Sequence, residues 1–561
     1  MLLNSSPTPG RASLALLVWG MIANFLLVGP LWLRFGMEAG YWIAWEAWVL
    51  VAAFAALPDT RWTRALRWVV VIMLLVAFVF GIGDGATHQV LSRPLNAYFD
   101  IILISAGFNL LDGNIGRAGA VAVTVAVGLA LLALTLLLAR ALRPGRLQSS
   151  TPARAIAFAL AAVCLGAFWL DLTGTSSWTA ARTPAWDTLA FQSDQIRSAH
   201  QARLEFAAES PDARQPGTPL PALADLDVLL VFIESYGVTV FDDANYRAIV
   251  EPRLQAMEPV LADAGLKAVS GLVKAPIRGG QSWLAHATAL SGEWIDNQLW
   301  YRLLLDSHRT TLVDDFRATG HETVAVMPAI IRPWPEGDQY GFDRVYPAAG
   351  LDYAGPPLNW VTMPDQFTLH HFEHELRPAA SGPLFAQIAL ISSHAPWTPV
   401  IDLEPNWKTI GDGALFERWR DAGEAPQRLW QDIERLRNHY ARSVEYSVHV
   451  SLDYARHFVD ENTLLILLGD HQPASLITGR EPSAAVPVHV IAADPELLQP
   501  FRARGFRDGL LPEYPGPAAG MDQLRHWLQA DFGEKKPGSR GAGYTRSDSS
   551  DGGSGVDQPP Y

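Results

Sequence analysis

The apolar residues of this chain are crowded into its first third, and that asymmetry limits what it can fold into more than any other feature. Before residue 176, five stretches approach the roughly 20 apolar residues that cross a hydrocarbon core about 30 Å thick. They run over residues 12–33, 41–57, 66–83, 118–138 and 155–171, the second being short and carrying Glu46. Between the third and fourth, "LNAYFDIILISAGFNLLDGNIG" is apolar but broken by Asp100, Asn109 and Asp112, the pattern of an interfacial or re-entrant segment. Arg11, then Arg61, Arg64 and Arg67, then Arg140, Arg143, Arg146 and Arg154 crowd alternate loops. Placing those loops in the cytoplasm puts the N-terminus inside and, after five crossings, everything beyond residue 175 outside. The first span is too long for a cleavable signal and is followed by four more.

The charge lies elsewhere. Forty-three basic and 57 acidic residues give a net charge of -14, which argues against nucleic acid as a partner. One cysteine, Cys164, sits in an apolar run, so neither an intrachain disulfide nor a Cys-based zinc cage can form. Residues 176–222 are polar, end in "ESPDARQPGTPLPA", and read as an amphipathic connector along the membrane. From 223 to 532 buried-strand runs ("DVLLVFI", "FAQIALIS", "LLILLG", "VPVHVIAA") alternate with helical patterns, which predicts an α/β sandwich. The clearest of these helices carries Ile433, Leu436, Tyr440, Val444 and Val448 on one face. The tail, 533–561, has almost nothing to bury and is expected to be disordered.

Reactive side chains fall at the ends of these runs, where open α/β sheets bind ligands. Glu234 follows "LLVFI", and Asp470 and His471 follow "LLILLG", with Gly469 read as a turning point. Ser282 stands in "RGGQSWLAHATALSG", where Gly279 and Gly280 precede a helix closed by Gly292 and the helix start suits a phosphate or sulfate. Three oxygens and one imidazole suit manganese, magnesium or zinc. Taken singly the residues have plainer readings: Glu234 and Ser282 as helix caps, His394 as a turn residue, Trp283 as a core aromatic, His489 as a hydrogen-bonded core histidine. Four such coincidences in order are less probable than one site.

"FIESYG", "GGQSWLAHATALSG", "SSHAPW" and "LLGDHQP", in that order behind membrane spans, resemble the sulfatase-like membrane transferases of the alkaline phosphatase superfamily, such as lipoteichoic acid synthases and phosphoglycerol transferases. The resemblance implies an extracytoplasmic domain of the alkaline phosphatase/sulfatase type and one divalent metal, manganese first and magnesium or zinc as alternatives. Glu234, Ser282, Asp470 and His471 would bind it, with Ser282 where the family usually has a threonine nucleophile and His394 as the acid–base group. The activity so implied is metal-dependent transfer of a phospho-alcohol head group, phosphoglycerol-like, from a phospholipid to an extracytoplasmic glycan or lipid acceptor at a bacterial inner membrane. Two alternatives are a membrane-anchored phosphodiesterase or sulfatase, and a non-catalytic sensor of lipid or lipopolysaccharide.

Departures narrow this expectation. Ser282 lacks the following x-Pro-x-Arg of formylglycine sulfatases, and the outer domain lacks the cysteines common in phosphoethanolamine transferases. The stretch comparable to the family's glycerophosphate pocket keeps Trp334 but has Met327, Ala329 and Glu336 at the other positions. Arg332 and Arg278 are the remaining candidates for binding an anion.

Overall fold

The computed structural model of the protein describes residues 9–91, 93–98, 100–147, 151–173, 181–209, 214–331, 334–479 and 482–534. Arg332 and almost all of the expected tail, from residue 535 on, lie outside these, as do 176–180 and 210–213 of the expected connector. The chain divides into two compact units, Met1–Glu205 and Phe206–Tyr561.

The first unit is helical. Its helices are α1 (Pro9–Phe35), α2 (Trp45–Ala56), α3 (Arg61–Leu91), α4 (Ile102–Ala141), α5 (Thr151–Leu172) and the start of α6 (Pro184–Glu209). Among the described residues, three helices are long and apolar enough to cross a membrane: Leu14–Phe35, Arg61–Leu91 and Ile115–Ala141. The second expected span shortens to the 12 residues of α2. At 1.5 Å per residue that is about 18 Å, shorter than a ~30 Å core. The fifth is helical over Thr151–Leu172. The apolar stretch before the fourth span is also helical, set off by Gly116 at φ 73° and ψ 163°. Only glycine adopts that backbone without strain.

The second unit is built on a mixed sheet. Its strands are β1 (Asp227–Ile233), β2 (Lys267–Lys274), β3 (Glu322–Met327), β4 (Arg344–Pro347), β5 (Leu384–Ala389), β6 (Thr463–Gly469), β7 (Ala485–Ala492), β8 (Arg507–Asp508) and β9 (Ala519–Gly520). They are ordered β8-β2-β7-β6-β1-β5-β3-β4, with β9 beside β2. The run from β6 through β1, β5 and β3 to β4 is parallel, whereas β7 lies antiparallel to both β6 and β2. Strand β1 is central. Leu229, Val231 and Ile233 feed the core on one face, Val228, Leu230 and Phe232 the core on the other. A strand covered on both sides has no polar face, which is why "DVLLVFI" and "LLILLG" show no alternation. Helices α7 (Ala244–Asp263) and α9 (Ile433–Phe458) cover the first face, and α8 (Ser282–Ser291) the second. Leu436, Tyr440, Val444 and Val448 of α9 are all buried, as their spacing predicts.

A buried ion network fixes the three central strands at their N-terminal ends. Arg377 donates to Asp227 at the start of β1 (2.8 Å), to Thr463 at the start of β6 (2.6 Å) and to Glu373 (3.0 Å). Asp227 in turn accepts the backbone N–H of Leu384 at the start of β5 (2.8 Å). Such a network contributes little net stability, but its geometry is selective and sets which strand ends lie side by side. At the opposite ends the parallel register pairs Ile233 with Gly469.

Gly469 has a role other than turning the chain. A Cβ there would lie 1.9 Å from the Tyr236 carbonyl oxygen, so glycine permits a close backbone crossing beside the strand ends. Replacing Gly469 with alanine is expected to destabilise the protein by about 3 kcal/mol, the upper part of the usual overpacking range. The check is a lower denaturation midpoint in detergent, and an unchanged midpoint would contradict the crossing.

Candidate metal centre and nucleophile

Glu234 leaves the C-terminal end of β1, and Asp470 and His471 leave the end of neighbouring β6. The coordinating atoms of these three buried residues all lie within 4.8 Å of one another. His471 Nε2 is 3.5 Å from Glu234 Oε1 and 3.6 Å from Asp470 Oδ2. His471 Nδ1 lies 2.8 Å from the Gln472 carbonyl. A carbonyl only accepts, so Nδ1 carries the proton and Nε2 is the nitrogen turned toward the carboxylates.

Ser282 completes the group from a different element. It is the first helical residue of α8, and the helix N-cap is Gln281, held in the left-handed region at φ 69°. Gly279 and Gly280, at φ 76° and 129°, make the turn into it. The Ser282 hydroxyl does not cap the helix. It donates to Glu234 Oε2 (3.1 Å) and lies 3.2 Å from His471 Nε2. The structure therefore brings together Glu234, Ser282, Asp470 and His471, which are up to 237 residues apart in sequence.

Charge is distributed unevenly over the group. Burial pushes Asp470 up to about 7, and the neighbouring Glu234 carboxylate adds to the effect. Burial also opposes ionisation of Glu234, but the charges of His471 and His394 and the hydroxyls of Ser235 and Ser282 outweigh it and hold Glu234 below its ordinary value. Burial opposes the charge of His471 too, and the two carboxylates more than compensate, raising it. Two buried carboxylates this close resist joint ionisation unless positive charge is supplied, and their donor set fits a hard or borderline divalent cation.

Strand β5, on the other side of β1, brings His394. The half-buried ring places Nδ1 2.6 Å from the Ala395 carbonyl, which leaves Nε2 for exchange. Its charge acts on Glu234. The loop that carries it is held by residues that sequence reasoning missed. Asp365 accepts the backbone N–H groups of Ile391 (2.7 Å) and Ser392 (2.8 Å) on one oxygen and the Ser447 hydroxyl (2.6 Å) on the other. Burial nonetheless pushes the Asp365 carboxyl above its ordinary range. Ser393 continues the chain of contacts by donating to the Glu234 carbonyl (2.6 Å). Replacing Asp365 with alanine would orphan two N–H groups and a hydroxyl, so a loss on the order of 3 kcal/mol is expected. Turnover should fall while metal affinity stays unchanged, because no ligand sits on that loop. Metal titration alongside kinetics separates the two effects.

Ser235, at φ 55°, is another residue the sequence did not single out. Its N–H donates to Asp470 Oδ1 (2.8 Å) and its hydroxyl to Glu234 Oε1 (2.7 Å), while its carbonyl accepts from Tyr440 (2.9 Å). It orients both carboxylates. The only local signal was a small polar residue directly after the strand-end acid.

The remaining candidates are placed differently. Arg278 forms a backbone bridge with Gln472, next to His471. Its half-buried guanidinium has Nε without a hydrogen-bond partner among the described residues, and burial lowers its pKa. Trp334 packs against Tyr340 and Gly337 in the core on the α8 face. Trp283, expected in the core, is instead 41 % exposed and donates to Gln298 (3.0 Å), because position two of α8 faces away from the sheet. His489 is a core histidine held between Ser270 (2.7 Å) and Tyr236 (3.0 Å), and burial lowers it to about 4.

Residues 293–489 match the sulfatase family model. The matched segment contains His394, Asp470 and His471 and begins after Glu234 and Ser282. No curated protein matches the chain. Among solved structures, the Streptococcus pyogenes phosphoglycerol transferase GacH, in complex with sn-glycerol-1-phosphate, is similar at 15 % identity and TM-score 0.36, over 61 % of this chain and 82 % of that one. The lipoteichoic acid synthase LtaP of Listeria monocytogenes is similar at 12 % and 0.34, over 56 % and 74 %. The C-terminal periplasmic domain of the phosphoethanolamine transferase EptC of Campylobacter jejuni is similar at 12 % and 0.34, over 58 % and 92 %.

Proposed function

We propose that this protein is a membrane-bound phosphotransferase that moves a phospho-alcohol head group from a phospholipid to an extracytoplasmic glycan or lipid acceptor through a phosphoserine at Ser282. The observation that carries the reading is the hydroxyl of Ser282, 3.1 Å from Glu234 and 3.2 Å from His471 at the start of a helix. A simple helix cap would have turned that hydroxyl to the backbone.

Glu234, Asp470, His471 and the Ser282 oxygen are the residues that would hold a divalent ion, manganese, magnesium or zinc. When bound, such an ion supplies positive charge to the phosphoryl oxygens and favours the ionised hydroxyl. The chain's own groups do the rest. The α8 N-terminus turns its first backbone N–H groups and its partial positive charge toward a phosphoryl group. Glu234 Oε2, which accepts the Ser282 hydrogen bond, marks where the hydroxyl proton departs. In the first displacement the Ser282 Oγ–P bond forms, the bond from phosphorus to the diacylglycerol oxygen breaks, and His394 gives that oxygen a proton. In the second, His394 takes the proton of the acceptor hydroxyl, the acceptor O–P bond forms, the Ser282 Oγ–P bond breaks, and the proton on the Glu234 side returns to the Ser282 oxygen. Arg278, beside this centre, is the residue proposed to meet the head group's anionic oxygens, with Trp334 and Arg332 as further candidates.

The apolar helices of the first unit would keep the domain at a bilayer, raising its effective concentration at the head groups. Five crossings, with the arginine-rich loops in the cytoplasm, would send the second unit to the extracytoplasmic side of a bacterial inner membrane. The test is incubation of the pure protein and a divalent metal with labelled phosphatidylglycerol or phosphatidylethanolamine, with and without a glycan acceptor. Transfer predicts labelled glycan and diacylglycerol that appear together and depend on the acceptor. Free head-group phosphate without acceptor would make the protein a phosphodiesterase, and no turnover of either lipid would overturn the phosphotransferase reading.

A further inference from the structure

The first unit contains a cavity of about 320 Å³ between α1, α3 and the start of α6. That size falls within the roughly 300–1,000 Å³ typical of small-molecule sites. Its walls are graded along both membrane helices. On α1 they pass from Leu27 through Leu31 to Arg34, and on α3 from Ala77 and Phe78 to Asp84. Seven residues of helix rise about 10 Å. Both helices therefore present apolar side chains at one level and a charge about 10 Å further on.

At the charged level the signs are balanced. Arg34 pairs with Asp84, which also accepts the Leu95 N–H (2.9 Å). Arg182 lies over the Tyr41 ring at 5.3 Å, and Asp187 accepts the Thr183 hydroxyl (2.9 Å). All but Leu95 and Thr183 line the cavity. A free anion would use only the arginines, and an apolar molecule only the lower walls. An amphiphile carrying both a phosphate and an ammonium uses every feature.

From this gradient and charge balance, we infer that the membrane unit binds one phospholipid with a zwitterionic head group. Its phosphodiester lies toward Arg34 and Arg182, its ammonium toward Asp84 and Asp187, and its glycerol and first acyl carbons against Leu27, Leu31 and Phe78. Arginine suits the phosphate because its fork matches two oxygens. This site shares no residue with the Ser282 centre and holds whether or not that centre transfers phosphate.

The test is native mass spectrometry of the full chain carrying Ser282→Ala, so that no turnover consumes the ligand, titrated with four probes: phosphatidylethanolamine, phosphatidylglycerol, diacylglycerol and free phosphoethanolamine. Saturable one-to-one binding of phosphatidylethanolamine is expected, with the other three at least about tenfold weaker. Arg182→Gln should weaken it about tenfold, and Leu31→Trp, which fills the apolar level, should abolish it. If Leu31→Trp fails to fold, Thr188→Trp fills the same space from α6. Equal binding of phosphatidylglycerol would overturn the zwitterion assignment, and equal binding of free phosphoethanolamine would overturn the lipid. Binding that ignores both substitutions, or no saturable binding, would overturn the site.

Discussion

Alanine at position 282 is expected to reduce head-group transfer on the order of 10⁴-fold or more, the scale on which removal of a covalent nucleophile is felt. The reasoning is local. Among the described residues, the Ser282 hydroxyl is the group at the start of α8 that contacts both Glu234 and His471, while Gln281 holds the N-cap position. Glu234, Asp470 and His471 remain in the variant, so divalent metal should still bind, more weakly for want of one oxygen. Ser282→Thr keeps a hydroxyl on the same carbon and should retain activity within about a tenfold range. Mass spectrometry of the peptide containing Ser282, after exposure of the wild-type protein to native membranes, should show an added phospho-alcohol whose mass names the transferred group. Alanine should show none. Full activity or full complementation by Ser282→Ala would exclude the phosphoserine route and favour a regulatory protein.

Much of this centre could be read from sequence because its members sit where buried runs stop. "LLVFI" before Glu234 and "LLILLG" before Asp470 are strands buried on both faces, and their ends sit side by side in the parallel register. What could not be read was why those strands are neighbours. Arg377 meets Asp227 across 150 residues and Thr463 across 86, and neither separation has a local signal. The same holds for Asp365, which supports the His394 loop from 26 residues away, and for Ser235, whose strained backbone turns its N–H to Asp470. Gly469 reads as a turn and serves a crossing, since it is Tyr236, three residues past the end of β1, that reveals the need. Composition over 41–57 does not show that helix α2 begins only at Trp45 and stops at Ala56.

Metal binding should tighten as pH rises through about 7, and chelation should stop turnover. A cation at this site needs Asp470 ionised, and burial together with Glu234 holds its proton up to about 7. One proton displaced per ion makes the affinity fall about tenfold for each pH unit below that value and level off above it, so binding at pH 6 should be about tenfold weaker than at pH 8. The proton on His471, which the same carboxylates retain, steepens the slope further. Stability follows with the opposite sign when no metal is added. An acid whose folded pKa is raised favours the folded state only while protonated, so the metal-free protein should lose stability as pH climbs from the ordinary 3.8 of a carboxyl through about 7. Added manganese should reverse that trend. At a hundredfold excess over its dissociation constant it contributes about 2.7 kcal/mol. Calorimetric titration of manganese at pH 6, 7 and 8, paired with melting curves, tests both signs at once, and Asp470→Asn should flatten the pH dependence while weakening the affinity. Activity that survives exhaustive chelation, or wild-type affinity that does not change between pH 6 and 8, would mean that these carboxylates hold no cation and that Ser282 is activated by Glu234 and His471 alone.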